Sequence, residues 1–431
     1  MKRIIFAVLL IAAPGVFSAT RDLTLGDAFT LAHEHSYAVK RAEADKAAAE
    51  ASLSGAKSAR FPTLDATAYA AYISFVPTLD IQTQLGDFSR EVGTNENYQT
   101  DLRLVLPLFT GGKISGGIDA AEAGHRYREA LLSAEQDKLD YFTRVRYLSL
   151  YRADRALTAA NEALRRAEIT QLDVRSMYDA GAADSVDLLE TDLAMTDARF
   201  KVEEAQSNRR AVEISLLQLL GLPPEDTLHL PVQLPQPEMT SLTSALERQE
   251  LQAADAAIDL SIAQEKQAKA GYFPSVAVFG GYSYGKPNLD RFNNTWNDYF
   301  TAGAQLNWSI NLGRKTSHEV RRAQYATRAV SNERANLDDQ LHEQARLSAE
   351  QLRLAFERYQ SALKRHRITT ENYRLAQARH HDGVLSSNRL LEIETALSEA
   401  DAGLATAEAG YYIAQSAWYY AIGSDKLTEG L

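Results

Sequence analysis

The sequence predicts a mainly α-helical chain with a small β part. Long antiparallel coiled-coil helices form a helical barrel continuous with a transmembrane β-barrel, with four strands per chain and two tandem structural repeats. Three observations predict it. Lys113 to Tyr178 and Lys315 to His380 contain no proline, and each gives about 66 residues of unbroken helix, some 100 Å at 1.5 Å per residue. Other segments alternate apolar and polar residues with period two. The chain also repeats itself at one offset of 202 residues, which pairs Gly111 with Gly313, Lys113 with Lys315, Gly181 with Gly383 and Gly221 with Gly423.

The chain opens with an address. Met1-Lys2-Arg3 is basic, Ile4 to Ala13 is apolar, and Pro14-Gly15 breaks any helix, as in a secretory signal peptide spanning 1–19 and cut after Ser18 or Ala19. The first repeat then covers 20–221, a Pro-rich linker 222–240, the second repeat 241–423 and a short tail 424–431. Pro223, Pro224, Pro231, Pro235 and Pro237 are five of the eleven prolines, and proline terminates helices, so the linker reads as extended.

Each repeat reads helix, strand, loop, strand, very long helix, tight turn, helix. The first helix is expected over Leu25 to Arg60. In the closing helix of the second repeat, Leu390, Ile393, Leu397, Ala400, Leu404, Ala407, Tyr411, Ala414 and Trp418 step by threes and fours, a coiled-coil seam. The same frame in the first repeat is apolar except at Thr191 and Arg209. The lengths of the short helices, Leu25 to Arg60 and Asp184 to Leu220, sum to about the long one between them, so two short helices can stack alongside it.

The strands decide the class. Phe300, Ala302, Ala304, Leu306, Trp308, Ile310 and Leu312 alternate with Thr301, Gly303, Gln305, Asn307, Ser309 and Asn311. Leu102, Leu104, Leu106 and Leu108 likewise oppose Gln99, Asp101 and Arg103. Such alternation marks a sheet with unlike solvents on its two faces, and with partners Thr63 to Phe75 and Ser275 to Tyr284 the lengths suit a tilted bilayer crossing. Four strands do not close a barrel, and an open edge in lipid leaves N–H and C=O groups unsatisfied. A ring of two, three or four copies satisfies both constraints. Trp296, Tyr299, Trp308, Tyr69 and Tyr72 are candidates for an interfacial girdle, or for ordinary packing.

Composition removes other classes. With no Cys, the chain has no disulfide, thiolate site or thiol nucleophile. Lys and Arg number 46 against 57 Asp and Glu, so no basic footprint for nucleic acid exists. His342-Glu343-Gln344-Ala345-Arg346 lacks the second His of a zinc protease motif, and Gly111-Gly112-Lys113-Ile114 lacks the outer Gly and the Ser/Thr of a phosphate loop. Adjacent His380-His381 diverge on a helix. No catalytic residue, metal site or cofactor is expected.

The element order, the repeat, Leu106-Pro107-Leu108-Phe109-Thr110-Gly111-Gly112 at the strand-to-helix junction, and Tyr178-x-x-Gly181 with Leu188-Leu189-Glu190 at the tip resemble the TolC family of outer membrane efflux proteins. The resemblance spans about residues 22–423. It implies a homotrimer with a twelve-stranded barrel in outer membrane lipid and a helical tunnel through the periplasm. It further implies an exit duct of an efflux pump or type I secretion system, partnered by a periplasmic adaptor and an inner-membrane pump. The helix tips would form a periplasmic gate. Glu392 falls on one of the family's inward acidic positions, Arg389 stands where another acid is usual, and Asp187 matches a carboxylate of the closing network. That carboxylate's usual partners are replaced here by His380 and Leu385. Arg389 and Glu392, three apart on a helix, are placed to pair, while solvated charges on a helix face are the plainer reading for Arg389 and Asp187. Gly181, Ala182, Ala183, Gly383, Val384 and Leu385 match the adaptor-docking turns. The rival reading is a soluble periplasmic coiled-coil scaffold or an adaptor protein.

Overall fold

A computed structural model describes residues 20–84, 86–232, 234–239, 242 and 246–430; the predicted signal peptide lies outside them. In chain order the elements are β1 (Thr20–Asp22), α1 (Leu25–His35), α2 (Tyr37–Ser58), β2 (Thr63–Tyr72), β3 (Thr78–Thr83), β4 (Gly86–Glu91), β5 (Glu96–Phe109), α3 (Lys113–Asp179) and α4 (Ser185–Leu220). There follow β6 (Thr227–His229), α5 (Gln249–Lys269), β7 (Ser275–Lys286), β8 (Asn297–Asn307), α6 (Lys315–His381) and α7 (Ser387–Ile422). The long helices α3 and α6 are both 67 residues, and α4 and α7 both 36. Two compact units result, each drawing on both halves of the sequence. One takes the chain up to Ala42, Leu132–Gln249 and Asp338 onwards; the other takes Glu43–Leu131 and Glu250–Leu337.

The second unit holds a four-stranded antiparallel sheet of order β2-β5-β7-β8. Its register sorts the side chains by face. Leu64, Leu104, Gly280 and Ala302 share one row, and Ala66, Leu102, Tyr282 and Phe300 the next row on the same face. Between them, on the opposite face, run Asp65, Arg103, Gly281 and Thr301, then Thr67, Asp101, Ser283 and Tyr299. Leu64, Leu102, Leu104, Tyr282, Phe300 and Leu306 are all exposed on the first face. On the polar face Gln99 donates to Asp101 and Ser283, and the Arg103 guanidinium stacks over the Phe279 ring at 5.4 Å.

Three expectations for the strands need correction. β8 ends at Asn307, so Trp308, Ile310 and Leu312 leave the sheet. Asn307 pairs with Ser275, the first residue of β7, and Pro274 before it has no N–H to extend the ladder. β5 bulges between Pro107 and Phe109, so Phe109 rather than Leu108 pairs with Val276. The aromatic girdle divides: Trp296 stacks on Tyr98 and Tyr284 at 5.9 and 5.1 Å, whereas Tyr69 and Tyr299 lie in polar rows and the Tyr69 hydroxyl donates to Gln99. The first predicted loop also contains the hairpin β3–β4, tied to the second by Arg90, which donates to the Phe292 carbonyl and to Asn293.

At the strand-to-helix junction Gly111 has φ +63, and a Cβ there would sit 2.7 Å from the Phe273 Cβ and 2.8 Å from the Ala270 carbonyl oxygen. Only glycine tolerates both the left-handed backbone and that approach. In the same unit Ala120, Ala123 and Ala130 on α3 and Ala253, Ala256 and Ala263 on α5 are all buried, and a Cβ on Gly116 would reach within 2.9 Å of Gln267. Small side chains let the helices approach closely.

The first unit has a broader core. The predicted helix over Leu25 to Arg60 breaks at Ser36, which ends α1 with ψ 112 while its hydroxyl accepts the Val39 N–H. A serine that satisfies the next helix's backbone competes with helix continuation. Leu25, Ala28, Ala32, Leu139, Tyr147, Leu150, Leu216 and Leu228 form one cluster, and Leu148, Leu352, Tyr411, Trp418, Tyr419 and Leu427 another. Tyr147 and Leu148, adjacent on α3, enter different clusters, so the long helix is buried on two sides here. The linker is not wholly irregular: β6 pairs in parallel with β1. Its strand is gripped by the polar seam residue Arg209, which binds the Leu228 carbonyl and Asp154, and by the buried Glu213, which accepts the Leu228 N–H at 2.7 Å. At the position 202 residues on, the Tyr411 hydroxyl donates to the Glu238 carbonyl, so both copies use this seam position to hold the linker. Arg144 captures the tail, donating to the carbonyls of Leu427 and Glu429.

Candidate functional site

The tips join α3 to α4 and α6 to α7, and both lie in the first unit. The two turns are built alike. Gly181 N–H bonds Tyr178 O, and Ala182 and Ala183 bond Met177 O; Gly383 N–H bonds His380 O, and Val384 and Leu385 bond Arg379 O. Gly181 and Gly383 sit at φ +77 and +71, and a Cβ on either would meet nothing within 4 Å. Glycine is therefore required here by backbone conformation, as in a helix C-cap, rather than by crowding. Ala182 and Val384 project into solvent; Ala183 and Leu385 are half-buried.

Each returning helix starts on a cap. Asp184 accepts the N–H groups of Val186 and Asp187, and the Asp187 carboxylate accepts the Asp184 N–H in return. Asp187 is thus engaged at its own helix start. Ser386 accepts the Arg389 N–H. Arg389 donates to Glu392, and both side chains are more than half exposed, so the pair adds little to stability. His380 differs from these: it is 5% exposed, and its Nδ1 lies 2.9 Å from the Leu385 carbonyl oxygen. That oxygen can only accept, so Nδ1 carries the hydrogen. The other ring nitrogen, Nε2, is buried with no hydrogen-bond partner among the described residues.

Behind the tips lies a set of groups that sequence reasoning missed. Glu394 on α7, 6% exposed, accepts from Thr170 on α3 and from the Tyr373 hydroxyl on α6. Seven residues on, Asp401 accepts from Arg166 on α3 at 2.9 Å and lies 3.0 Å from His366 Nε2 on α6. After another seven, Glu408 accepts from Tyr151 on α3. Burial pushes the Glu394 carboxyl up from the ordinary carboxylate value, against the hydroxyls of Thr170 and Tyr373 and the charge of Arg166. Burial, then Glu394, pushes the Tyr373 phenol up to about 12, so it remains a donor throughout the physiological range. The signal was present in the sequence as Tyr359, His366, Tyr373 and His380 at intervals of seven, facing Glu394, Asp401 and Glu408 at the same interval.

The sequence model of the outer membrane efflux protein family matches residues 29–222 and 243–424. The chain belongs to this family. It is an outer membrane efflux protein that extends into the periplasm. Solved structures share the fold of this efflux-family chain. The outer-membrane channel OprN is 20% identical with a TM-score of 0.74, covering 94% of this chain and 90% of its own. VceC of Vibrio cholerae is 16% identical with a TM-score of 0.75, covering 93% and 96%, and the Campylobacter jejuni CmeC channel 15% with 0.75, covering 98% and 94%. No individually curated protein sequence matches the chain. Placement in the outer membrane sets aside the soluble scaffold.

Proposed function

We propose that the chain is the passive exit duct of a tripartite efflux pump or type I secretion system, assembled as a homotrimer and gated at its periplasmic helix tips. The observation that carries this reading is the four-stranded sheet. Its apolar face is exposed, and its terminal strands β2 and β8 have unpaired edges. In hydrocarbon those edges must be paired, and pairing β8 of one copy with β2 of the next closes a ring. Three copies give about twelve strands, a barrel wide enough for an aqueous lumen. The chain's own part is to supply the wall and the gate, and the energy comes from the partner pump.

At the gate, Arg389 and Glu392 form a charged pair in the first turns of α7, with Asp187 in the first turn of α4 and the buried His380 at the end of α6. The turns at Gly181, Ala182, Ala183 and at Gly383, Val384, Leu385 offer the exposed side chains of Ala182 and Val384, beside the half-buried Ala183 and Leu385, to an adaptor. The test is conductance in planar bilayers. The parent protein should show small, infrequent openings, and the double substitution Arg389→Ala with Glu392→Ala should raise single-channel conductance severalfold. Absence of channels from both proteins would exclude the duct; equal conductance would remove the pair from the gate.

A further inference from the structure

The two helical hairpins of the first unit repeat their internal contacts residue for residue. Gln171 on α3 donates to Asp192 on α4 at 3.0 Å, and 202 positions on, Tyr373 on α6 donates to Glu394 on α7 at 3.3 Å. Arg209 on α4 donates to Asp154 on α3, and at the same offset the rings of Tyr411 and Phe356 meet edge to face at 6.1 Å. A contact seen at one position of the repeat is therefore a guide to its counterpart.

The contact between the hairpins has no counterpart within the chain. From α3, Thr170 donates to Glu394 at 3.1 Å, Arg166 to Ser398 and Asp401 at 3.0 and 2.9 Å, and Tyr151 to Glu408 at 3.3 Å, all on α7. Shifted by 202 positions, the donors fall on α6 at Asn372, Ile368 and Arg353. The acceptors fall on α4 at Asp192, Thr196, Arg199 and Gln206. No hydrogen bond or ion pair among the described residues joins α6 to α4.

Both of these surfaces are open. Thr170 and Glu394 are buried against each other, whereas Asn372, Ile368, Arg353, Thr196, Arg199 and Gln206 are exposed and Asp192 is half-buried. Ile368 belongs to an exposed apolar row on α6 with Leu347, Leu354 and Leu375, spaced by multiples of seven. Beside Thr196, α4 exposes Leu193 and Phe200. Apolar rows of this kind on helix surfaces mark contacts still to be made.

We propose that α6 of one copy packs on α4 of the next, reproducing between chains the contact that α3 makes with α7 within each chain. Asn372 donates its amide to Asp192 of the next copy, in the place of Thr170 on Glu394. Ile368 covers Thr196 and the aliphatic stem of Arg199 of the next copy, and Arg353 donates to the amide oxygen of Gln206 there. The occupant is a second copy because one chain carries both halves of the contact and unites neither. Asp192 has one in-chain donor where Glu394 has two, and the amide of Asn372 is a donor of the kind it lacks. Contacts between unlike surfaces of identical chains run head to tail and can close a ring. The inference rests on the homotrimer reading and adds which helices meet and through which residues. Asp192 lies about two turns after the start of α4, away from the Arg389–Glu392 pair on α7.

Two measurements on the full-length chain test the interface. The chain has no cysteine, so Asp192→Cys and Asn372→Cys chains, co-expressed and treated with a short thiol crosslinker, should give a two-chain band that neither gives alone. Asn372→Asp sets two carboxylates face to face and should lower the temperature at which the three-chain particle dissociates in detergent. Adding Asp192→Asn restores an amide–carboxylate pair and should return that temperature to the parent value. Absence of the two-chain band, an unchanged dissociation temperature for Asn372→Asp, or a loss that the exchange does not recover overturns the interface while three-chain particles persist. A particle of one chain overturns the homotrimer reading itself, and this interface with it.

Discussion

Replacing Leu104 by Arg should prevent stable insertion in the outer membrane, whereas replacing its neighbour Arg103 by Leu should leave insertion intact. The two residues are adjacent in β5 but occupy opposite faces. Leu104 lies in the row of Leu64, Gly280 and Ala302, well inside β5, β7 and β8 and near the start of β2, and Arg103 in the row of Asp65, Gly281 and Thr301. If the first row meets hydrocarbon, a cation there costs about 2–4 kcal/mol in each chain. In a closed ring every copy bears that cost at once. Arg103 removes a charge from the water side and ends its stacking on Phe279, which affects ion passage rather than insertion. Carbonate extraction of membranes, followed by quantification of the retained protein, reads the difference. Equal retention of Leu104→Arg and parent would mean that this face does not contact lipid.

The second large effect is expected in the first unit. Glu213→Ala should lower stability by about 3–5 kcal/mol, the range for breaking a buried ion pair from one side. Glu213 is 1% exposed and accepts from three donors: the Leu228 N–H, Arg209 and Arg210. Its removal orphans the Leu228 amide and leaves two guanidinium groups short of one carboxylate. Arg210 keeps the carbonyls of Pro224 and Asp226, so the damage should centre on β6 and its pairing with β1. Glu213→Gln, which preserves an acceptor for Leu228, should lose less. Heat-unfolding midpoints followed by helix circular dichroism give the ranking, and limited proteolysis should cut the linker near residues 222–232 first in the Ala variant. A midpoint unchanged by Glu213→Ala would contradict the assignment.

What the sequence shows plainly is whatever repeats along it. The alternation in β5 and β8, the proline-free stretches that become α3 and α6, and the tip glycines each follow from a periodic pattern or from one conformational requirement. Interactions between distant segments were harder to read. Ser36 looks like one more helix residue until its hydroxyl is seen to accept the Val39 N–H. Thr20 to Asp22 becomes a strand only because the linker supplies β6 some 200 residues later. Arg209 appeared as a fault in an apolar seam, yet it is the residue that holds that strand.

The candidate site divides in the same way. Arg389 and Glu392 were legible because three residues apart on a helix is a local geometry, and the structure pairs them. His380 stands out in the sequence for its place in the motif, but its burial and its bare Nε2 depend on how α6, α7 and the turn pack. In the sequence nothing distinguishes Glu394 from a solvated acid beside the seam. Its importance lies in Thr170 and Tyr373, on two other helices.

The central claim is that the amphipathic sheet is one part of a ring completed by other copies in lipid. The mass of the detergent-extracted particle, measured by native mass spectrometry with the detergent stripped in the gas phase, tests it most directly. The account predicts three chains per particle, and aggregation when detergent is removed in solution. A single chain, stable and dispersed without detergent, would contradict it.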